Sequence, residues 1–222
     1  MIKRSDLVFL KNVLSLHNSN VDLGYLNNVL TAIEHNEELT DNILDSFSEN
    51  QFKSKKKLLE LINSLDVLNN DSEVIILGCW YGSILVPELS KKSKRITAID
   101  LDETTIRIAK NKFFSDYKNV EFVVDDVFFT DRKRYNRAKL FINTSCEHML
   151  PMKQWPFWSN LECDSYFAFQ SNNMFNIEGH INCVNSFEEF KNQLPTHFEI
   201  LIQDELKDDR GTRYMLVGKI PY

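Results

Sequence analysis

The 222-residue chain is 43% hydrophobic, 26% charged and 12% aromatic, too apolar for a disordered chain and without the repeat of a collagen-like one. Its formal charge of −6 lacks the basic surplus of a general nucleic-acid binder. Sixteen Phe residues point to an aromatic core, which a chain of this length can bury without disulfides.

The N-terminal third reads as helical. Leu7, Leu10, Val13 and Leu14 recur at helical spacing, as do Leu23, Leu26, Val29, Leu30 and Ile33. Thr40-Asp41 is placed to cap a short helix carrying Ile43, Leu44 and Phe47. Lys55-Lys56-Lys57 then leads into a helix bearing Leu58, Leu59, Leu61, Ile62 and Leu65 and ending near Asn69-Asn70. From residue 73 the period changes. Val74 to Leu77 is a continuous apolar run, as in a strand buried on both faces, and a helix follows to about Ser90. Strands are predicted over 95–100, 120–124, 138–143 and 165–170, with helices over 103–115 and 186–192. Two late strands, 198–203 and 214–218, flank the polar turn Lys207 to Gly211 as a hairpin.

Alternating strands and helices predict an α/β fold, a mostly parallel sheet with helices on both faces and an antiparallel C-terminal hairpin. Residues 1–52 are expected to form a helical cap and residues 53–222 the sheet domain. Cys79, Cys146, Cys163 and Cys183 form no CxxC pair, and Met1 to Asp6 opens into an amphipathic pattern, not an apolar leader. The expectation is a cytoplasmic protein with reduced thiols. The longest apolar runs are far too short for a bilayer.

In such sheets ligands bind beyond the carboxyl ends of the strands. After the first strand comes Gly78-Cys79-Trp80-Tyr81-Gly82, where glycines permit a sharp turn and close approach to a ligand. The second strand ends in Asp100, followed by Leu101. Asp100 is free to accept ribose hydroxyls if Asp102 serves as the helix cap. After the third strand, Asp126 and Val127 are placed to meet an adenine ring. Trp80 and Tyr81 would crowd a pyrophosphate but suit a sulfonium through cation–π attraction; packing between helix and sheet is the alternative for Trp80.

The fourth strand ends in Asn143-Thr144-Ser145-Cys146-Glu147-His148-Met149, the densest polar cluster in the chain. Glu147 or His148 could take a proton from an acceptor, with Asn143 and Ser145 orienting groups; a helix cap and a structural hydrogen bond are the plainer alternatives. His180, after the fifth strand, is a second candidate base. Gln170 to Asn173 would shape selectivity. A metal held by His148, Glu178 and His180 is an alternative, but these residues stand in no His-x-Glu or Glu-x-x-His spacing, and no metal is expected. Cys146 reads as a packing residue. Trp155-Pro156-Phe157-Trp158 fits a core cluster better than a lid. The basic cluster Arg132, Lys133, Arg134, Arg137 and Lys139 reads as a solvated loop.

Over residues 70–222 these motifs together resemble the class I S-adenosylmethionine-dependent methyltransferase superfamily. Gly78 and Gly82 match the first and third glycines of its acidic-x-Gly-x-Gly-x-Gly loop. Trp80 stands at the middle glycine and Ile76 at the acidic position. Asp100 matches the ribose-binding acid and Asp126 the adenine-contacting position; Asn143 falls where the family often has an acid or Asn. The resemblance implies a Rossmann-like domain with S-adenosyl-L-methionine as cofactor. The implied cofactor contacts are Gly78, Trp80, Tyr81, Gly82, Asp100, Leu101, Asp126, Val127, Asn143 and Ser145. The expected reaction is methyl transfer to a small molecule. Aminocarboxypropyl transfer, as in nicotianamine-synthase-like enzymes, and non-catalytic cofactor binding stay open. No membrane or nucleic-acid partner is expected, and the N-terminal helices suit a substrate cover or a dimerising unit equally.

Overall fold

The computed structural model describes residues 8, 9, 12, 13, 23–161 and 164–221. The expected first strand is β1, Glu73–Leu77, and its apolar run is fully enclosed, as a strand buried on both faces requires. It is followed by β2 (Arg95–Asp100), β3 (Val120–Val124), β4 (Ala138–Asn143), β5 (Tyr166–Asn172), β6 (Glu199–Asp208) and β7 (Gly211–Lys219). They form one sheet ordered β3-β2-β1-β4-β5-β7-β6. The first five strands are parallel, and β7 runs antiparallel to both β5 and β6. The strand order reverses between β1 and β4, so a crevice opens past their carboxyl ends.

The described helices are α1 (Leu23–Glu34), α2 (Thr40–Asp45), α3 (Glu49–Ser64), α4 (Leu85–Leu89), α5 (Glu103–Ile108) and α6 (Phe187–Lys191). Asp102 caps α5 by accepting from the Thr104 and Thr105 N–H groups, so the role expected of it is filled. Thr40 does not cap α2. Its own N–H already bonds the Glu37 carbonyl in a preceding 3₁₀ turn, which leaves Leu39 before the helix. The stripe on α1 is rotated from the expected one. Tyr25, Val29 and Ala32 are buried, whereas Leu23 and Leu30 are exposed, because Tyr25 enters a nest of rings formed by Phe47, Phe113, Phe114 and Tyr117. The helix expected over 103–115 widens into a π turn at Ala109–Phe113. That turn lets the consecutive residues Phe113 and Phe114 both point inward. Leu7, Leu10, Leu14 and Cys163 lie outside the described residues.

One face of the sheet packs on the N-terminal helices, α4 and α5. The other packs on Trp155, Phe157, Phe190 and neighbouring rings, so the Trp155–Trp158 segment belongs to the core. The N-terminal helices are docked by polar contacts as well as apolar ones. The Tyr25 hydroxyl donates to the Ser83 carbonyl (2.9 Å), and Gln170 Nε2 in β5 donates to the Ser54 carbonyl in α3 (2.7 Å). The expected cap boundary at residue 52 falls inside α3, which runs unbroken for 16 residues. No described helix is long and apolar enough to cross a membrane. The basic 132–139 segment is tied down in part: Arg134 pairs with Glu121, and Lys139 donates to the Asp164 carbonyl.

Candidate functional site

Beyond β1 the chain turns through three left-handed positions: Gly78 (φ 66°), Trp80 (φ 51°) and Gly82 (φ 67°). The middle position therefore keeps a glycine-type backbone while carrying a tryptophan. That conformation costs a non-glycine residue roughly 1–2 kcal/mol. A short hydrogen bond helps to hold it, because the Trp80 N–H donates to Asp100 Oδ2 at 2.7 Å. The other oxygen of Asp100 accepts from the Asp102 N–H (3.1 Å). A charge-assisted bond of this kind is about twice as strong as a neutral one. The loop after β1 and the acid after β2 are thus one unit. A Cβ at Gly78 would lie 2.9 Å from Met149 Cε and 3.2 Å from Ser145 Cβ, so the loop also abuts the segment after β4. Ser145 Oγ donates to the Gly78 carbonyl there (3.1 Å).

The residues proposed from sequence separate in this geometry. Gly78, Trp80, Asp100 and Ser145 come together partly exposed beyond β1, β2 and β4, whereas Gly82 is buried and the Trp80 ring also packs on the core. Leu101 is 69% exposed beside Asp100, an apolar side chain left uncovered. Asp126 closes its own turn by accepting from the Phe128 N–H, and the Val127 side chain is buried while its carbonyl takes bonds from Tyr135 and Trp155. Tyr81 points away from the crevice. It is fully buried, stacks on Phe113 and donates its hydroxyl to Asn42 Oδ1 (2.8 Å), and burial pushes its pKa up to about 12. Asn143 is fully buried and shapes the turn: its Oδ1 accepts from the Ser145 N–H (2.9 Å), and its Nδ2 faces the sulfurs of Met149 and Met152. Cys146 is buried with its thiol on the Asn143 carbonyl, and burial raises its pKa well above the ordinary range. Ile76 is fully enclosed in the core.

The candidate bases do come together. Glu147, His148 and His180 each present one ligand-type atom, all within 4.8 Å of one another, and the two imidazoles meet edge to face at 4.6 Å. Two loops are stitched together to do this. The Ile181 and Asn182 N–H groups both donate to the Glu147 carbonyl (2.9 Å each), and Asn182 Nδ2 donates to the Cys146 carbonyl (3.2 Å). His148 Nδ1 bonds the Gly179 carbonyl (3.1 Å), and His180 Nδ1 bonds the Met174 carbonyl (2.9 Å). A carbonyl only accepts, so each Nδ1 carries the proton and each neutral ring keeps its lone pair on Nε2. Burial, the largest influence on His180, lowers its pKa and favours that neutral form. Glu178, weighed as a ligand from sequence, is exposed; Glu147 takes its place.

Glu147 is itself almost fully buried. Its Oε1 accepts from Asn172 Nδ2 (2.5 Å) and pairs with Arg213 (3.4 Å), while its Oε2 has no hydrogen-bond partner. Behind it lies a polar interior lined by α3, β5 and β7. Arg213 Nε donates to Asn50 Oδ1 (3.3 Å), and Lys55 donates to Gln51. Lys55 keeps part of its length at the surface. Desolvation of its ammonium, then repulsion from Arg213, lowers its pKa to about 7 against the pull of Glu147 and Asp45. Asn50 Nδ2 and Gln170 Oε1 are likewise buried without partners. Unpaired buried polar atoms are expensive, and their concentration here sets this polar chamber apart from the apolar core around it.

Comparison with solved structures decides what this architecture is. N-methyltransferase NodS from Bradyrhizobium japonicum WM9, in complex with S-adenosyl-l-homocysteine, superposes with a TM-score of 0.63 at 14% identity, covering 99% of this chain and 100% of that one. The fold is that of the class I S-adenosylmethionine-dependent methyltransferases. A geranyl diphosphate methyltransferase in complex with GPP and sinefungin superposes at 0.59 with 9% identity, covering 75% of this chain and 77% of that one. An rRNA methylase from Streptococcus thermophilus does so at 0.52 with 17% identity, covering 71% and 91%. No family model matches the sequence, and no curated protein matches it. Neighbours named for such unlike acceptors share this sheet, so the fold alone names no acceptor.

Within the methyltransferase frame, Arg213 and Lys55 are the groups the sequence reading missed. Both carried a signal. Arg213 sits in register with Met215 and Val217, which are core residues on the same face of β7. Lys55 stands three, four and seven residues before the buried Leu58, Leu59 and Ile62, on the inward face of α3. A charged residue at a core-facing position is the observation that finds both.

Proposed function

We propose that this chain transfers the methyl group of S-adenosylmethionine to a small, polar acceptor. The carrying observation is the bond from the Trp80 N–H to Asp100 in a loop whose three left-handed positions match the glycines of a methyltransferase loop. The residues present fit the cofactor. The left-handed backbone at Gly78, Trp80 and Gly82 makes the sharp turn, the partly exposed Asp100 stands where ribose hydroxyls would lie, and Leu101 offers an apolar surface to adenine. Enclosed Ile76 cannot meet the cofactor's ammonium as an acid at its position would.

When bound, the cofactor supplies a methyl carbon already activated by its sulfonium. The protein has to hold the acceptor, keep water out and accept a proton. The Lys55, Asn50, Gln170 and Arg213 interior holds polar groups of the acceptor, and α3 covers it. His148 Nε2 and His180 Nε2 are the proton acceptors, oriented by the Gly179 and Met174 carbonyls. Positioning supplies on the order of several kcal/mol, and a placed base adds about 10²–10⁴-fold. Glu147, locked between Asn172 and Arg213, positions the histidine loop and is not the mobile base.

The test is calorimetry with S-adenosylhomocysteine, followed by analysis of the products formed from S-adenosylmethionine and pooled polar metabolites. Formation of S-adenosylhomocysteine supports methyl transfer. Methylthioadenosine in its place would replace it with transfer of the aminocarboxypropyl arm, and binding without turnover would favour a non-catalytic role.

A further inference from the structure

We propose that Glu147, His148 and His180 bind one divalent transition-metal ion. Three features converge on this. The two histidines each donate Nδ1–H to a main-chain carbonyl, the arrangement that fixes the tautomer and presents Nε2 to a metal. The Glu147 carboxylate is half used: Oε1 is taken by Asn172 and Arg213, while Oε2 is buried and unpartnered. One ligand-type atom from each of the three residues already lies within 4.8 Å of the others. In a bound set, with metal–ligand bonds of about 2.0–2.2 Å, such atoms sit roughly 3–3.5 Å apart, so the cluster closes by on the order of 1 Å on the ion.

Two imidazoles and one carboxylate select borderline ions such as Zn²⁺, Co²⁺ or Fe²⁺ over Mg²⁺ and Ca²⁺. Three protein ligands leave coordination positions open. Arg213 lies on the opposite oxygen of Glu147, where it offsets the carboxylate's charge without occupying Oε2. The four hydrogen bonds between the 146–148 turn and the 179–182 loop hold the ligands ready before the ion arrives. An oxygen of the acceptor bound to the ion would lose its proton more readily, with that proton leaving to solvent; each Nε2 then holds the ion and accepts a proton only in the ion-free protein. That role rests on the methyl-transfer reading; the binding of the ion does not.

The experiment uses the full-length protein, stripped with a chelator and titrated with Co²⁺ while visible absorption and heat are recorded, then with Zn²⁺ in competition. One ion per chain is expected, with cobalt ligand-field bands that Zn²⁺ abolishes. His148→Ala and His180→Ala should each weaken binding at least as much as the roughly 10–100-fold typical of losing an outer partner of a metal ligand. Glu147→Gln should do the same if it folds. His148 is exposed, so its variant keeps the test intact if the buried one does not. No saturable binding, or equal affinity in both histidine variants, overturns the proposal. S-adenosylhomocysteine binding is measured in the same samples. Cofactor binding without ion binding overturns the metal site alone, and ion binding without cofactor binding overturns the methyl-transfer reading alone.

Discussion

Asp100 and the Trp80 N–H that it holds are 20 positions apart, one at the end of β2 and the other in the loop after neighbouring β1, whereas Asn50 and Arg213, which meet behind Glu147, are 163 positions apart. The side proposed to bind the cofactor is assembled from one strand–loop–helix–strand unit. The polar chamber needs α3, the turn after β4, the loop after β5 and the C-terminal hairpin all in place. Long-range ion pairs and amide bonds therefore tie the chamber to the stability of the whole fold, while the loop–acid unit can be altered with little effect beyond ligand affinity. Damage to the two regions should consequently appear in different measurements.

The largest effect is expected in the chamber. Arg213→Met leaves the buried carboxylate of Glu147 without its cation, and such a loss costs about 3–5 kcal/mol. Urea unfolding should show it, and adding Glu147→Gln should recover most of the loss. A single-variant cost below about 1 kcal/mol would mean that water reaches the pair and that the chamber is not closed. Next comes the cofactor side. Asp100→Ala should weaken S-adenosylhomocysteine binding by roughly 1–3 kcal/mol, with a smaller change in the unfolding midpoint and unchanged cobalt affinity. Equal cofactor affinity in variant and parent would remove Asp100 from the site.

The same contrast governs what the sequence discloses. β2, β3 and β4 lie within the predicted bounds, because continuous apolar runs mark buried parallel strands. β5 and β7 were read too short, since Ser171, Asn172, Thr212 and Arg213 interrupt the apolar pattern yet still pair across the two strands and their neighbours. Asn172 and Arg213 among them reach Glu147, so two of the residues that hid the strand ends belong to the proposed site. Gly78, Gly82 and Asp100 were legible because turn and acid follow their strands at fixed offsets. Tyr81 was read as facing the cofactor because nothing local distinguishes a ring in the crevice from one stacked on Phe113. Glu147 as a partner of two histidines depended on the 174–182 loop folding back across the turn after β4, which no spacing announces.

Lys55 gives the next effect and a pH signature for the chamber. Its pKa of about 7 in the fold lies below the 10.5 of a free lysine. Between those values the unfolded chain holds the proton and the folded chain does not, so stability rises with pH from about 7 towards 10.5 and the gain is lost as pH falls back through 7. The slope from one such group is at most about 1.4 kcal/mol per pH unit. The groups acting on it are Arg213, which lowers its pKa, and Glu147 and Asp45, which raise it. Lys55→Met should flatten the rise in thermal midpoint between pH 7 and 9, taken here as roughly the lower half of that window. The same slope in variant and parent would place the ammonium in water.

The smallest effect tests the loop's one departure from glycine. Trp80 adopts φ 51° between Gly78 and Gly82, and its ring packs 5.4 Å from that of Tyr81. Replacing it with glycine or with alanine removes the ring in both cases, so the lost packing cancels in the comparison. What differs is the backbone: alanine stays strained in the left-handed region, whereas glycine does not. Trp80→Gly should therefore be more stable than Trp80→Ala by about 1 kcal/mol, less whatever entropy the unfolded glycine regains. Both should retain the N–H bond to Asp100 and hence most of the cofactor affinity if the backbone alone shapes the loop. Matching stabilities in the two variants would show that residue 80 relaxes out of the left-handed region once its ring is gone. The tryptophan's packing, rather than the tie to Asp100, would then be what holds the turn.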